Sequence, residues 1–244
     1  MYELYLGYID CAGYRRRLGD DMVDLQKLYD AILSGRTKEA LAVTRQALEE
    51  GCDVMQMLST YMIPAMDEVG KRFARQEYFI PEMLVAARAM KSTLELVRPL
   101  LAARGAQSAG RVIIGTVKGD LHDIGKNLVA SMLEGGGFEV LDLGIDVPPE
   151  KFVSAAERSN ADIVCLSALL TATLPAMESA IEALGKAGLR AKVKVMVGGA
   201  PLTQKYADQI GADGYGRDAT AAVSVARHLM SGASEGVPAP GGAA

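Results

Sequence analysis

Histidine and cysteine are both scarce in this chain, with two and three residues in 244. Cys11, Cys52 and Cys165 are odd in number, far apart and form no C-x-x-C pair, which argues against a disulfide framework or a cysteine-built zinc site. The compartment expected from that usage is reducing and cytoplasmic. Positive charge is not in excess either. The net charge of -4 leaves no electrostatic footprint for a nucleic acid, and no basic helix suggests a membrane surface. Long apolar runs are missing: the longest, 163–177, is interrupted by Ser167, Thr171, Thr173 and Pro175 and is too short and polar to span a bilayer. At the N-terminus, Glu3 and Asp10 interrupt a weakly apolar stretch and Arg15-Arg16-Arg17 follow it, the wrong order for a signal peptide.

What is present is a hydrophobic content of 50%, ample for a core. From 22 to 103 the apolar spacing is helical. It predicts helices over 22–33, 37–50, 53–73 and 81–103, with Ser34-Gly35 and Gly51 as terminators, Pro64 kinking or breaking the third, and Pro81 opening the fourth. Short connections imply an antiparallel four-helix bundle, domain 22–104. Residues 105–110 (GAQSAG) form the expected linker, residues 1–21 a leader of uncertain order, and the Gly/Ala/Pro-rich 232–244 a disordered tail.

Between 111 and 231 the texture alternates. Strands are expected over 111–117, 138–143, 162–167, 192–197 and 214–216, with helices over 125–135, 149–159, 174–187, 202–210 and 218–231. Such alternation implies an α/β fold with a doubly wound, five-stranded parallel sheet in flavodoxin-like order, whose ligand crevice lies at the carboxyl ends of the strands.

Three loops leave those ends. The first holds Gly119, Asp120, His122, Asp123 and Gly125; the second holds Ser167, Leu169, Thr171 and Thr173; the third holds Gly198, Gly199 and Ala200. A neutral imidazole suits cobalt, iron, zinc or copper, and a ligating histidine usually donates its other N–H to a carboxylate, for which Asp120 is near enough in sequence. A lone histidine in such a loop is, without context, more often a surface or capping residue. His228 fits that plain description, near the end of the last helix. Asp123 is better placed than Asp120 to cap the following helix, and Thr171 and Thr173 could equally cap the one that begins near Leu174.

The context comes from a resemblance. The run GTVKGDLHDIGKNLVASMLEGGGFEVLDLGIDVPPEKFV, followed by LSALLTATL and VGGA, resembles the corrinoid-binding domain of cobalamin-dependent methionine synthase. It is also similar to the small corrinoid proteins of methanol, methylamine and O-demethylating methyltransferase systems. PAMDEVGKRFARQEYFIPEMLVAARAMK is similar to the helical cap of that family, so the likeness spans about 22–230. It implies a cobalamin or related cobamide with its lower base displaced, His122 as lower axial cobalt ligand, and Asp120 and Thr173 (a serine in methionine synthase) as the relay that tunes it. Ser167, Leu169 and Thr171 would line the slot for the nucleotide tail. Gly119, Asp123, Gly125, Gly198 and Gly199 would complete the cradle, and Phe79 and Met83 would cover the upper face.

The function so implied is a methyl shuttle without a complete active site of its own. It would accept a methyl group on Co(I) from a substrate-specific methyltransferase and pass it as methyl-Co(III) to a second methyltransferase using tetrahydrofolate, a thiol or a similar acceptor. A reductive activase is a further expected partner; nucleic acid and membrane are not. Light-responsive cobalamin sensors share the architecture and stand as the alternative, and a flavin domain, which has no need of the histidine, is the plainest one.

Overall fold

The computed structural model describes residues 23–103 and 108–232. The leader, the Arg15-Arg16-Arg17 cluster, Cys11, the first half of the expected linker (105–107) and the tail beyond Gly232 lie outside the described residues.

The N-terminal half contains α1 (Gln26–Leu33), α2 (Thr37–Glu49), α3 (Ile63–Ala74) and α4 (Ile80–Ala103). Gly35 and Gly51, at φ of 67° and 74°, end α1 and α2 in the left-handed conformation that costs glycine least. Helix α3 is entered through a short α turn (Val54–Gln56), capped by Asp53, and a π-helical turn (Met57–Met62). That turn explains why Pro64 does not break the helix. The proline stands just after the widened turn, at the start of α3, where the loss of one N–H disrupts no regular ladder. Pro99 likewise lies inside α4, which runs on to Ala103.

The second half builds β1 (Arg111–Thr116), β2 (Glu139–Asp142), β3 (Ile163–Ser167), β4 (Lys194–Gly198) and β5 (Gly214–Gly216) into one parallel sheet of order β2-β1-β3-β4-β5. The intervening helices are α5 (Ile124–Gly135), α6 (Pro149–Ser159), α7 (Leu174–Lys186), α8 (Gln204–Gln209) and α9 (Ala219–Ser231). Parallel neighbours need crossovers, and these helices provide them on both faces. Register aligns the strand ends: Thr116 pairs with Ser167, Ser167 with Gly198, and Gly198 with Gly216. Four carboxyl ends thus form one row, with the order reversing between β1 and β3.

Alternation along the strands divides the core. Ile113, Val164, Leu166, Val195 and Val197 pack on one face with Phe152 of α6, Met177 of α7 and Ala207 of α8. Val112, Ile114, Ile163, Cys165 and Met196 pack on the other with α5 and α9, and this cluster runs without interruption into the bundle through Met66, Met90 and Leu94. Two ion pairs cross the same junction, Lys91 of α4 to Glu134 of α5 at 2.9 Å and Arg227 of α9 to Asp67 of α3 at 2.8 Å. The bundle therefore rests on one face of the sheet half through shared apolar surface. Phe152 fills the space over Gly115, where an added Cβ would meet its ring at 2.9 Å. Phe152→Ala is expected to destabilise the cofactor-free protein by about 3–5 kcal/mol, read from its urea midpoint.

Candidate cofactor site

An open cleft of about 510 Å³ lies along the row of strand ends on the α5/α9 side. Its floor is Ile114, Cys165 and Met196; Ser167, Gly198, Gly199 and Gly216 form the strand-end edge; Phe73 and Ile80 reach it from the bundle. The wall is mainly apolar. His122 and Leu121 stand along it, and Leu121 and Ile124 are 65% and 78% exposed, an unfavourable display of apolar surface that a ligand would cover.

The histidine is held by one carboxylate. Asp120 is fully buried, and its Oδ1 accepts from His122 Nδ1 at 2.7 Å and from the His122 backbone N–H at 3.1 Å. Its Oδ2 accepts from the N–H groups of Leu169 and Leu170 at 2.7 and 3.1 Å and from the Thr173 hydroxyl at 2.8 Å. Burial by itself raises the carboxyl pKa. The Leu169 N–H, the His122 ring and N–H, and the Thr173 hydroxyl outweigh it and hold Asp120 far below the usual carboxylate range. An ionised Asp120 makes Nδ1 the donor, so in the neutral ring the lone pair is on Nε2. No hydrogen-bond partner takes Nε2 among the described residues. The Thr116 hydroxyl donates to the His122 carbonyl at 2.8 Å and fixes the loop from the β1 side.

These residues separate the bland readings from the chemical ones. Thr173 occupies the N-cap position of α7, yet its side chain makes no cap bond and turns to Asp120. Asp123 starts α5, and its carboxylate also makes no cap bond; it accepts from the Asn127 side chain at 3.0 Å. Capping, expected of Asp123, is thus not its role. His228 sits in the last turn of α9, outside the cleft.

The structure brings His122, Asp123, Gly125, Ser167, Leu169, Gly198 and Gly199 together on the cleft wall, with Asp120 and Thr173 behind. Gly119, at φ 85°, turns the chain into the loop, and Thr171 lies exposed in a 3₁₀ turn (Thr171–Thr173) away from the cleft. Neither bundle contact stands as expected. Met83 is fully buried in the bundle core and Phe79 is 61% exposed outside the cleft lining, whereas Phe73 and Ile80 line it. The resemblance pointed to the segment around the start of α4, and the residues that reach the cleft from the bundle are Ile80 there and Phe73 of α3. A Cβ on Gly125 would meet nothing within 4 Å, so the glycine leaves space on the wall. Gly199 has a different cause. At φ 140°, its Cβ would lie 1.8 Å from the Ala168 carbonyl oxygen, so the fold itself requires glycine where the β3 and β4 loops touch. Ile114, Cys165 and Met196 escaped sequence reasoning because strand apolars look like core; their common face of the sheet was the available signal.

The donor set limits what this site can hold. Among the described residues no three His, Cys, Asp or Glu side chains gather into a metal site. A single imidazole beside a large apolar cleft fits a metal that arrives with its other ligands already in place, as in a corrin ring, and offers little to a bare ion. Burial pushes the Cys165 thiol up and keeps it protonated, so it serves as apolar lining.

Fold and site together define a flavodoxin-like cofactor-binding half under a helical bundle, and both halves match family models described as B12 binding domain, over 110–224 and 24–98. The chain belongs to the family of B12-binding corrinoid proteins: it carries a cobamide and shuttles methyl groups within a methyltransferase system. It is 45% identical over 207 residues to the dimethylamine corrinoid protein of Methanosarcina barkeri, covering 84% of this chain and 97% of that one. It is 42% identical over 208 residues to trimethylamine corrinoid protein 1 of Methanosarcina acetivorans, covering 84% and 96%. Among solved structures, a cobalamin-binding protein from Desulfitobacterium hafniense is similar at 33% identity and a TM-score of 0.71, covering 85% of this chain and 98% of that one. The methanol:cobalamin methyltransferase complex of Methanosarcina barkeri is similar at 25% identity and a TM-score of 0.77, covering 93% and 87%.

Asp120 makes a pH-dependent contribution to stability. Its folded pKa lies below its unfolded value of about 3.9, so the contribution is complete above that value and is lost as pH falls through the range between the two. Asp120→Asn is expected to lower the stability of the cofactor-free protein by about 1–3 kcal/mol at neutral pH. The gap between wild type and variant should narrow below about pH 4, checked by denaturant midpoints across pH.

Proposed function

We propose that His122 Nε2 is the protein's ligand to the cobalt of the bound cobamide, in place of the cofactor's own lower base, and that this chain serves a methylamine-dependent methyltransferase. The observation that carries the ligand assignment is the Nε2 lone pair left unpartnered beside the cleft by the Nδ1–Asp120 bond. The substrate class is supported by the curated relatives, which are named for dimethylamine and trimethylamine. When bound, the cobamide supplies a cobalt centre that takes up a methyl group and gives it away.

The chain's own residues do the rest. Asp120, kept ionised by the Leu169 N–H, His122 and the Thr173 hydroxyl, fixes the ring's orientation and tautomer, and its charge beside Nδ1–H raises the basicity of Nε2. Ser167, Gly198 and Gly199 edge the part of the cleft floored by Cys165 and Met196, which suits the displaced nucleotide tail. Phe73 and Ile80 close the bundle side and exclude water. A partner methyltransferase binds the amine, a second methyltransferase takes the methyl group, and a reductive activase restores an over-oxidised cofactor. The few, widely spaced cysteines suit a chain that acts in a reducing compartment inside the cell.

Reconstitution with hydroxocobalamin is expected to give a tightly held cofactor whose reduced cobalt(II) EPR spectrum shows splitting by one axial nitrogen. His122→Ala should lose that splitting. Failure of the wild type to bind a corrinoid would overturn the whole reading, and an unchanged spectrum in the variant would overturn the ligand assignment. Methylation of the reconstituted protein should proceed with an amine methyltransferase and not with a methanol one.

A further inference from the structure

We infer that the turn following β2, residues 142–146, is a frame that positions the His122 loop from both of its ends, with Asp146 and the buried Lys126 as positioning residues. The inference rests on His122 being the cobalt ligand. It deepens that reading, because none of the contacts of the Asp120 carboxylate holds the loop's flanks against the edge of the sheet.

The first end of the loop is held by Asp146. This residue stands at φ 50°, left-handed backbone that aspartate tolerates better than most side chains. Its Oδ1 accepts from the Gly119 N–H at 2.7 Å, and its own N–H donates to the Asp120 carbonyl at 3.0 Å. Both residues entering the loop are thereby bonded to one residue of the turn. An adjacent bridge, Val117 to Val147, and the bond from the Thr116 N–H to the Gly144 carbonyl at 3.0 Å extend the contact.

The second end is held through Lys126. Its side chain is 2% exposed, and a buried ammonium is retained only where its charge is matched. Nζ donates to Asp142 Oδ2 and, at 2.6 Å, to Asn127 Oδ1. Asn127 Nδ2 in turn donates to Asp123 Oδ2, next to the histidine. Asp142 Oδ1 accepts from the Gly144 N–H at 2.9 Å, which returns the chain of bonds to the same turn. One polar circuit therefore runs from Gly119 through the turn to Asp123, on the opposite side of the loop from the Asp120 contacts with Leu169, Leu170 and Thr173. Asp120 sets which way the ring faces. The frame sets where the backbone that carries the ring stands, and a ligand displaced by a fraction of an ångström loses coordination before it loses the pocket.

The variants that separate positioning from mere stability are chosen to spare the backbone. Asp146→Gly removes the carboxylate at a φ that glycine adopts freely, Asp146→Asn keeps an acceptor there, and Lys126→Met removes the charge while filling the same space. In reconstituted holo-protein, Asp146→Gly and Lys126→Met are expected to retain the cobamide through gel filtration. Their equilibrium between nitrogen-bound and nitrogen-free cobalt(II), read from the EPR splitting, should move roughly tenfold toward the free form. Asp146→Asn should resemble the wild type. Wild-type splitting in both Asp146→Gly and Lys126→Met, with loss only in His122→Ala, would overturn the frame and leave the ligand assignment standing. Loss of the cobamide itself from both variants, with His122→Ala still retaining it, would also overturn it, since the turn would then build the pocket. Absence of nitrogen splitting in the wild type would remove the ligand assignment and the frame together.

Discussion

The Asp120 carboxylate is buried without a formal countercharge, and it survives there because five donors converge on its two oxygens. Three come from the β3–α7 segment and two from His122. The carboxylate therefore joins the loops that leave β1 and β3 at the reversal of strand order, and the mouth of the cleft depends on that junction. Its ionisation also decides which imidazole nitrogen is left to bind a metal. Structure and chemistry depend here on the same five hydrogen bonds, so neither can be altered without the other.

Around this junction the fold supplies an asymmetric environment. One face of the sheet is sealed by α6, α7 and α8, while the other continues into the bundle and leaves a cleft between the strand ends, α5 and α9. The continuous core gives the bundle a defined position against that cleft, with Phe73 and Ile80 on its wall. A bundle attached only by a linker would not place two chosen apolar side chains there. The exposed Leu121 and Ile124 are the complement of the same arrangement, apolar surface that a large planar ligand would remove from water.

Much of this was legible in the sequence because it rests on local periodicity. Alternating strand and helix texture pointed to a five-stranded sheet whose strand ends fell within two residues of those observed, and Gly35 and Gly51 marked helix ends through the conformation that costs glycine least. The loop carrying Asp120 and His122 stood out because two chemical residues sat between glycines after an apolar strand. At Pro64 the helix is irregular and unbroken, because the chain passes through a π turn, an alternative hydrogen-bond pattern that spacing does not report. Met83 and Phe79 misled for a tertiary reason. Which side of α4 meets the bundle core depends on how α2 and α3 pack against it, and a likeness in sequence does not report that packing.

The sequence by itself determined the elements, their order, the parallel sheet and the identity of the histidine loop, since each follows from side-chain period, glycine and proline placement, and motif chemistry within a short stretch. Only the tertiary structure decided that Asp120 is buried and shared between two loops, that Gly199 answers to a carbonyl 1.8 Å from its missing Cβ, and that Lys126 is bound to Asp142 across the edge of the sheet. Those facts join residues far apart in the chain. Long-range contact, burial and the desolvation that accompanies it exist only once the strands are in register, so no local pattern could have carried them.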